Sequence, residues 1–363
     1  MGRLVRILVV ALLVTAGITW AVGYFVFGAA EREGPHAYAP VSEEQQAKAR
    51  AYLAETGITP LPAAWQWQTF SPAEGIDLRT GLLDVAGERG TVLVIPGYTA
   101  PLDMMGGTVS AFAAAGYDVA GIEYRGQGYS TRLLDNPEKG HQTDYADLTS
   151  DIAAFVEGLN ARNAGPVYIH AISMGGHIAL RTAGERNPEV AAYSLVVPMV
   201  KIETGAFPYN VAAALSTFYA STGLGHVYSP GRTDWSFEAQ NWGVGDACNS
   251  NAKTARYRDA LVALDERLRV NGTTNGWVAA TVASTHTITN DAFIAGIKKP
   301  VLMATAGKDE IVSTPAATAM CDALSDCRQR RYKEARHCIM QESSDREAQI
   351  VKDAVAFFEA NGG

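Results

Sequence analysis

The sequence predicts an α/β protein with a mostly parallel central sheet and helices on both faces. Three observations carry that expectation. Short β-type apolar runs alternate with helix-patterned segments over most of the chain. Chemistry-bearing residues fall directly after the β runs, where open α/β sheets bind ligands. One long interruption separates two of the runs, and an insertion of that size is usually functional.

The runs come in a regular order. "TVLVI" begins at Thr91 and is followed by a helical pattern around Thr108 to Ala115. "DVAGI" begins at Asp118 and precedes a helix from Tyr145 to Leu159. "VYIHA" at Val167 leads into a helix from Met174 to Arg186, and "YSLVV" follows at Tyr193. The rhythm stops between about Pro198 and Thr289, in a stretch rich in Gly, Asn, Thr and aromatic residues, whose expected role is a cap. It resumes with "PVLMATA" at Pro300, a helix after Pro315, "RQRRY" at Arg328 and a last helix from Asp345 to Glu359.

The N-terminus differs from all of this. Ile7 to Ala30 holds no charged residue and would span about 36 Å as a helix at ~1.5 Å per residue, enough to cross a bilayer. A cleaved secretory signal usually has an apolar region of only about 7–15 residues, so a retained anchor is favoured, although "GAA" at Gly28 to Ala30 would suit cleavage. Arg3 and Arg6 precede the span and "ERE" follows it, which places the remainder of the chain outside the cytoplasm. Residues 31–62 read as a polar, partly helical linker, and 63–363 as the folded domain, with the insertion at about 198–289.

The formal net charge of -8 opposes the field that nucleic-acid phosphates require, and no Lys/Arg run offers a local exception, so no nucleic-acid partner is expected. Oligomeric state is not encoded in any pattern here. The four cysteines, Cys248, Cys321, Cys327 and Cys338, would lie in an oxidising compartment; Cys321 and Cys327 are close enough to bridge, but spacing alone does not fix the pairing. No paired C-x-x-C spacing accompanies them, so no metal site is expected.

Ser173 sits in "AISMGG", at a turn from strand to helix. A serine there is either a helix N-cap or a nucleophile, and nucleophilicity demands a histidine to take its proton and a carboxylate to orient the histidine. Asp309 follows a β run in "GKDEIV", and His337 lies in a loop before the last helix. Asp309 alone would be a turn-former and His337 alone a solvated histidine; together in this order they favour a triad. The remaining histidines, among them His141, His170 and His177, lack a matching strand-end context. An oxyanion would be held by the backbone N–H groups of Tyr98, in "IPGYT" after the Thr91 run, and Met174.

The residues resemble the lysophospholipase and monoacylglycerol lipase group of α/β-hydrolases, in particular its bacterial lysophospholipases. The resemblance is carried by "EYRGQGYSTRLLDNPEKGH" from Glu123 to His141, by "SMGG", by "AGKDEIV", by the two-cysteine segment leading into His337, and by "TARYRDAL" and "TTNGWVAA" in the insertion. It implies an α/β-hydrolase fold with a lid that shelters an acyl chain. It also implies Ser173 as nucleophile, His337 as base and Asp309 as orienting acid. Three positions depart from the group: Ala171 for the first elbow glycine, Glu123 where aspartate is frequent, and Cys338 where glutamate is common. Arg125, Gln127 and Ser130 are expected to build their loop rather than touch substrate.

The expected activity is therefore hydrolysis of the carboxylic ester of a single-acyl-chain lipid through an acyl-enzyme, with no cofactor or metal and a lipid or small ester as substrate. A general carboxylesterase, a small-peptide aminopeptidase and a silent binding protein on the same fold are the alternatives.

Overall fold

Five- or six-residue apolar runs cannot bury two faces unaided, and here they do so by lying side by side. In the computed structural model, which describes residues 2–27, 36–85, 89–162, 165–205 and 207–362, β3 (Thr91–Ile95), β4 (Asp118–Ile122), β5 (Val167–Ile172), β6 (Ala192–Val196) and β7 (Val301–Ala306) are buried at almost every position. Burial on both faces is what a parallel sheet covered by helices requires. With β1 (Gln66–Ala73), β2 (Ile76–Leu83) and β8 (Cys327–Tyr332) they form one eight-stranded sheet in the order β1-β2-β4-β3-β5-β6-β7-β8. Only β2 runs antiparallel to its neighbours, β1 and β4. Arg328, Arg330 and Arg331 mark β8 as one edge, where charge discourages pairing with another chain.

Alternation along each strand feeds two cores. Leu93 and Ile95 of β3 join one core with α4 (Ala146–Arg162), α5 (Met174–Glu185) and α10 (Thr314–Ala323). Val92 and Val94 face the other way, toward α3 (Gly106–Ala114) and α11 (Ser344–Glu359), where Phe112, Tyr117, Tyr168 and Phe358 pack ring against ring. The helices and strands read from the sequence from Thr91 onward are present within one or two residues of their expected ends, except at α4, which runs three residues further than expected, to Arg162. The hairpin β1–β2 is an addition. β1 buries little of itself and shows no clear apolar alternation, so tertiary pairing rather than local pattern makes it a strand.

Between β6 and β7 the chain forms α6 (Tyr209–Tyr219), α7 (Tyr257–Leu264), α8 (Asn275–Ile288) and α9 (Asp291–Gly296) around long irregular stretches. α8 rests on α5, with the Ser284 hydroxyl against His177 Nε2 at 2.6 Å.

The segment read as a linker contributes to the fold. α2 (Glu43–Thr56) opens with a Ser42/Gln45 capping box, and its fully buried Ala49 packs with Trp235, Ala260 and Ala263 of the insertion. Its low apolar content hid this docking, in which Ala49 is joined by Tyr52, whose ring meets Trp242 and whose hydroxyl donates to the Ala252 carbonyl at 3.1 Å. Gly28 to Ala30 and the linker's first five residues lie outside the described residues.

α1 (Gly2–Val22) continues as a π turn to Phe27 and contains an 18-residue stretch, Leu8–Phe25, of mean hydropathy 2.0 that is almost wholly exposed. By length and composition this helix is apolar enough to cross a membrane. Its end touches the insertion: Tyr219 donates to the Thr19 carbonyl at 2.9 Å, and Trp20 Nε1 donates to the Thr222 carbonyl at 3.4 Å.

Because Ala49 is sealed against α7, Ala49→Asp should bury an unpaired carboxylate and detach α2. We expect a loss of about 1–3 kcal/mol in chemical unfolding, against a change within ~0.5 kcal/mol for the exposed Arg50→Ala.

Candidate active site

A serine hydroxyl at a strand end is useful only if its backbone lifts it clear of the sheet. Ser173 follows β5 directly and has φ 52°, ψ −114°, a conformation that costs of order 1–3 kcal/mol for a residue with a Cβ. Three backbone hydrogen bonds hold it there. Ser173 N–H donates to the Val196 carbonyl at 2.9 Å, and its own carbonyl accepts from Met199 N–H at 2.9 Å and His177 N–H at 3.1 Å. Close packing does the rest: a Cβ on Gly175 would lie 2.5 Å from the carbonyl oxygens of both Ile95 and Pro96, and one on Gly97 would lie 3.1 Å from the Ser173 Cβ. Ala171 pairs with Ile95 and Leu195 and is fully buried in the α4–α5 core. Its methyl group is accommodated, so the elbow forms without the usual first glycine.

The structure brings the expected acid and base to this serine. His337 Nε2 lies 2.9 Å from Ser173 Oγ, and His337 Nδ1 lies 2.8 Å from Asp309 Oδ2. A carboxylate only accepts, so Nδ1 carries the proton and Nε2 is left to accept from the hydroxyl. The other Asp309 oxygen accepts from the N–H groups of Ile311 and Val312, each at 2.9 Å. The Asp309 and His337 side chains are 1% and 8% exposed, so water competes little for these bonds. The loops that carry them are joined by Lys308 N–H to the Ala335 carbonyl and Gly307 N–H to the Tyr332 carbonyl, both 2.9 Å.

The other histidines are occupied elsewhere. His170 lies fully buried beside Ser194, and burial pulls its pKa down to about 3. His177 is held by the Met199 carbonyl and Ser284, with burial pulling its pKa down to about 4. His141 bonds Thr274, and burial together with His226 lowers its pKa to about 4.

The expected oxyanion donors sit at the same point. Met174 is the first residue of α5, so its N–H has no acceptor within the helix. Tyr98 lines the cavity beside Ser173 in a turn after β3. The turn is fixed from behind: Thr99, at φ 63°, donates its N–H to Gln127 Oε1 at 2.7 Å. Glu123 supports the neighbouring chain, accepting from the N–H groups of Leu102 at 2.8 Å and Tyr129 at 2.7 Å, with Arg79 at 3.4 Å. Burial still raises its carboxyl to about 7. Arg125 is clasped by Asp151 at 2.7 Å, and Ser130 donates to the Glu123 carbonyl, so these residues build the loop.

The cavity above Ser173 has a volume of about 490 Å³. Its floor is Ser173, His337 and the Gly97–Tyr98 turn, and most of its roof comes from the insertion, including Arg232, Asp246, Arg256, Arg258 and Asp259. In the sequence Arg256, Arg258 and Asp259 stand out only within the "TARYRDAL" cap motif, and Arg232 and Asp246 lie in irregular stretches with no pattern that marks a site. Roof and base are joined covalently. Cys248 of the insertion is bonded to Cys338, the residue after His337. Around that bond, Cys338 N–H donates to the Cys248 carbonyl at 2.6 Å, Ser250 donates to Glu342 at 2.8 Å, and Asn251 donates to the Glu342 carbonyl at 2.8 Å. The second disulfide, Cys321–Cys327, links α10 to β8 and spans only six positions.

Two predictions follow from this geometry. The Cys248–Cys338 bond closes a loop of 90 positions, so in the chain-entropy account replacing both cysteines by serine should cost about 4–5 kcal/mol, against about 2 kcal/mol for the Cys321/Cys327 pair; denaturant unfolding of the two double variants measures the difference. Glu123 binds its proton more tightly in the folded than in the unfolded chain. Its contribution to stability is complete below about pH 4.5 and is lost as pH rises toward about 7. The fall in unfolding free energy across that window should be shallower in Glu123→Gln.

Comparisons with known proteins bear on the family and the fold. A family model described as serine aminopeptidase, S33 matches residues 86–344. Lysophospholipase L2 of Escherichia coli is 30% identical over 216 residues, which cover 57% of this chain and 60% of that protein; the match thus spans three fifths of the relative's length. Among solved structures, a monoglyceride lipase from Saccharomyces cerevisiae is similar at a TM-score of 0.67, with 18% identity, over 84% of this chain and 97% of its own. A monoacylglycerol lipase from Paleococcus ferrophilus gives 0.60, with 16% identity, over 78% and 99%. A carboxyl esterase from Bacillus coagulans gives 0.61, with 16% identity, over 83% and 100%. The chain has the α/β-hydrolase fold and belongs to the serine aminopeptidase S33 family.

Proposed function

We propose that this chain is a serine hydrolase that cleaves the carboxylic ester of single-acyl-chain lipids, lysophospholipid or monoacylglycerol, from an N-terminal membrane anchor. The observation that carries the reading is the line of hydrogen bonds from Ser173 through His337 to Asp309 on the floor of a covered cavity. In this mechanism Ser173 Oγ attacks the ester carbonyl as His337 Nε2 takes its proton, and Asp309 holds the imidazolium that forms. The N–H groups of Tyr98 and Met174 receive the oxyanion. His337 then protonates the departing alcohol, leaving an acyl group on Ser173, and activates the water that releases the fatty acid. No step calls for a metal or cofactor.

The substrate class rests on the named activity of the Escherichia coli relative and on the charge of the cavity. An aminopeptidase must hold its substrate's ammonium on an unpaired carboxylate. Both carboxylates of the cavity roof are engaged: Asp246 by Arg256, and Asp259 by Arg258 at 3.1 Å and Arg256 at 3.7 Å. That favours an ester over an amino-terminal peptide. The exposed apolar helix α1, with Arg3 and Arg6 before its apolar stretch, supports an anchor with the folded domain outside the cytoplasm, and the two disulfides suit an oxidising compartment.

A fluorophosphonate probe should label the wild-type protein and not Ser173→Ala. Lysophosphatidylcholine and monoacylglycerol should both be hydrolysed, with kcat reduced about 10³-fold or more in Ser173→Ala and Asp309→Asn. Turnover of amino-acid anilides alone would overturn the lipid reading; undiminished labelling of Ser173→Ala would overturn the nucleophile.

A further inference from the structure

We infer that Cys248 and Cys338 are a positioning pair for His337: their disulfide holds the base in line with Ser173 from the cavity roof, and a dithiol that opens the bond lowers turnover reversibly. The inference rests on the ester-hydrolase reading and adds to it residues that take no part in the proton transfers. The loop that carries His337 is fixed on one side by the sheet. Ala335 is fully buried, and its carbonyl accepts at 2.9 Å from the N–H of Lys308, the residue before Asp309. Past Ala335 the insertion takes over. The Arg336 guanidinium donates to the Asp246 carbonyl, Cys338 N–H donates to the Cys248 carbonyl at 2.6 Å, and the two cysteines are bonded with their Cα atoms 5.0 Å apart. The residues before and after the base are therefore both held by one short segment of the roof.

That segment is itself braced. Asp246 Oδ1 accepts from the N–H groups of Cys248 at 2.8 Å and Asn249 at 2.9 Å, Asp246 N–H donates to the Asn249 carbonyl at 2.8 Å, and Arg256 of α7 binds the same carboxylate. Hydrogen bonds beside a cavity exchange with water, whereas the disulfide does not, so the covalent link sets the distance from roof to base. That distance matters because Nε2 must stay 2.9 Å from Ser173 Oγ, and a misplacement of about 1 Å costs about 100-fold in rate. Cys248 and Cys338 both line the cavity, so a small thiol entering it meets their bond, while Cys321 of the other disulfide is only 5% exposed. A thiolate of the dithiol attacks one sulfur, the S–S bond breaks, and the sulfur released takes up a proton. The reagent's second thiol then displaces the other cysteine, which is protonated in turn, and the reagent leaves as a cyclic disulfide. Two electrons pass to the protein, and oxidised glutathione takes them back.

The test follows nitrophenyl butyrate hydrolysis by the full chain carrying Cys321→Ser and Cys327→Ser, which leaves Cys248–Cys338 as the bond to reduce. Activity is measured oxidised, after dithiothreitol, and after oxidised glutathione, with free thiols counted at each stage. A fluorophosphonate probe supplies the second readout: its endpoint counts the folded active sites, and its rate reports how well the base activates Ser173. Reduction should lower kcat per labelled site about 10- to 100-fold, with KM changed less than about threefold, and should slow labelling while leaving its endpoint complete. Reoxidation should restore both. A bond that serves stability alone would instead lower the endpoint and leave kcat per labelled site as it was, and that result overturns the inference. Arg336→Met loosens the same contact with both disulfides intact and should lower kcat about threefold or more at full endpoint. Should reduction abolish labelling altogether, this variant decides, and a kcat at the wild-type value overturns the positioning role. An oxidised protein that neither takes the label nor hydrolyses the ester brings down the hydrolase reading itself, whereas an active enzyme indifferent to reduction removes the inference alone.

Discussion

The site depends on one strained residue held from three sides. Ser173 adopts a positive φ that its side chain disfavours, and the sheet is what makes that conformation the only one available. Its N–H and carbonyl are tied to the chain leaving β6, at Val196 and Met199, while Gly175 lets α5 press against the end of β3. Three neighbouring parallel strands must therefore end at the same level. That requirement explains why the core strands are short, apolar on both faces and in register: Val94, His170 and Ser194 lie side by side, as do Ile95, Ala171 and Leu195. Packing free energy spread over two cores sustains a local cost of a few kcal/mol.

The same sheet end supplies the partners. Asp309 leaves β7 and His337 lies beyond β8, so they reach Ser173 from two and three strands away across the sheet. Strand order alone brings together residues far apart in the chain. The insertion between β6 and β7 cannot be placed by such a rule, because nothing in its own backbone registers with the sheet. Its fixation comes from Cys248 bonded to Cys338, Ser284 on His177, and a backbone bridge between Thr273 and Gly140 outside the sheet.

What was legible in the sequence follows that division. Strands from β3 onward announce themselves because burial on both faces leaves continuous apolar runs, and Ser173, Asp309 and His337 stand at strand ends in a readable order. The hairpin β1–β2 was not legible, since β1 is largely exposed and neither strand shows strict apolar alternation. α2 looked like linker because its whole docking rests on Ala49 and a few aromatic neighbours. The pairing of Cys248 with Cys338 was hidden by a separation of 90 positions, although the adjacency of Cys338 to His337 was visible. The roles of Gln127 and Glu123 behind the oxyanion turn emerge only in three dimensions, because each acts on a backbone N–H from a distant loop.

Both N-terminal helices attach to the insertion. α1 meets α6 and the turn after it through Tyr219 and Thr222, and α2 packs on α7. The insertion is in turn bonded to the loop that carries His337. A continuous set of contacts thus runs from the apolar helix, through the cavity roof, to the base of the triad. On the reading of α1 as an anchor, the roof is the part of the folded chain held nearest the bilayer, and the floor faces it across the cavity. The cover of the site is thus fastened at one end to the apolar helix and at the other to the catalytic loop.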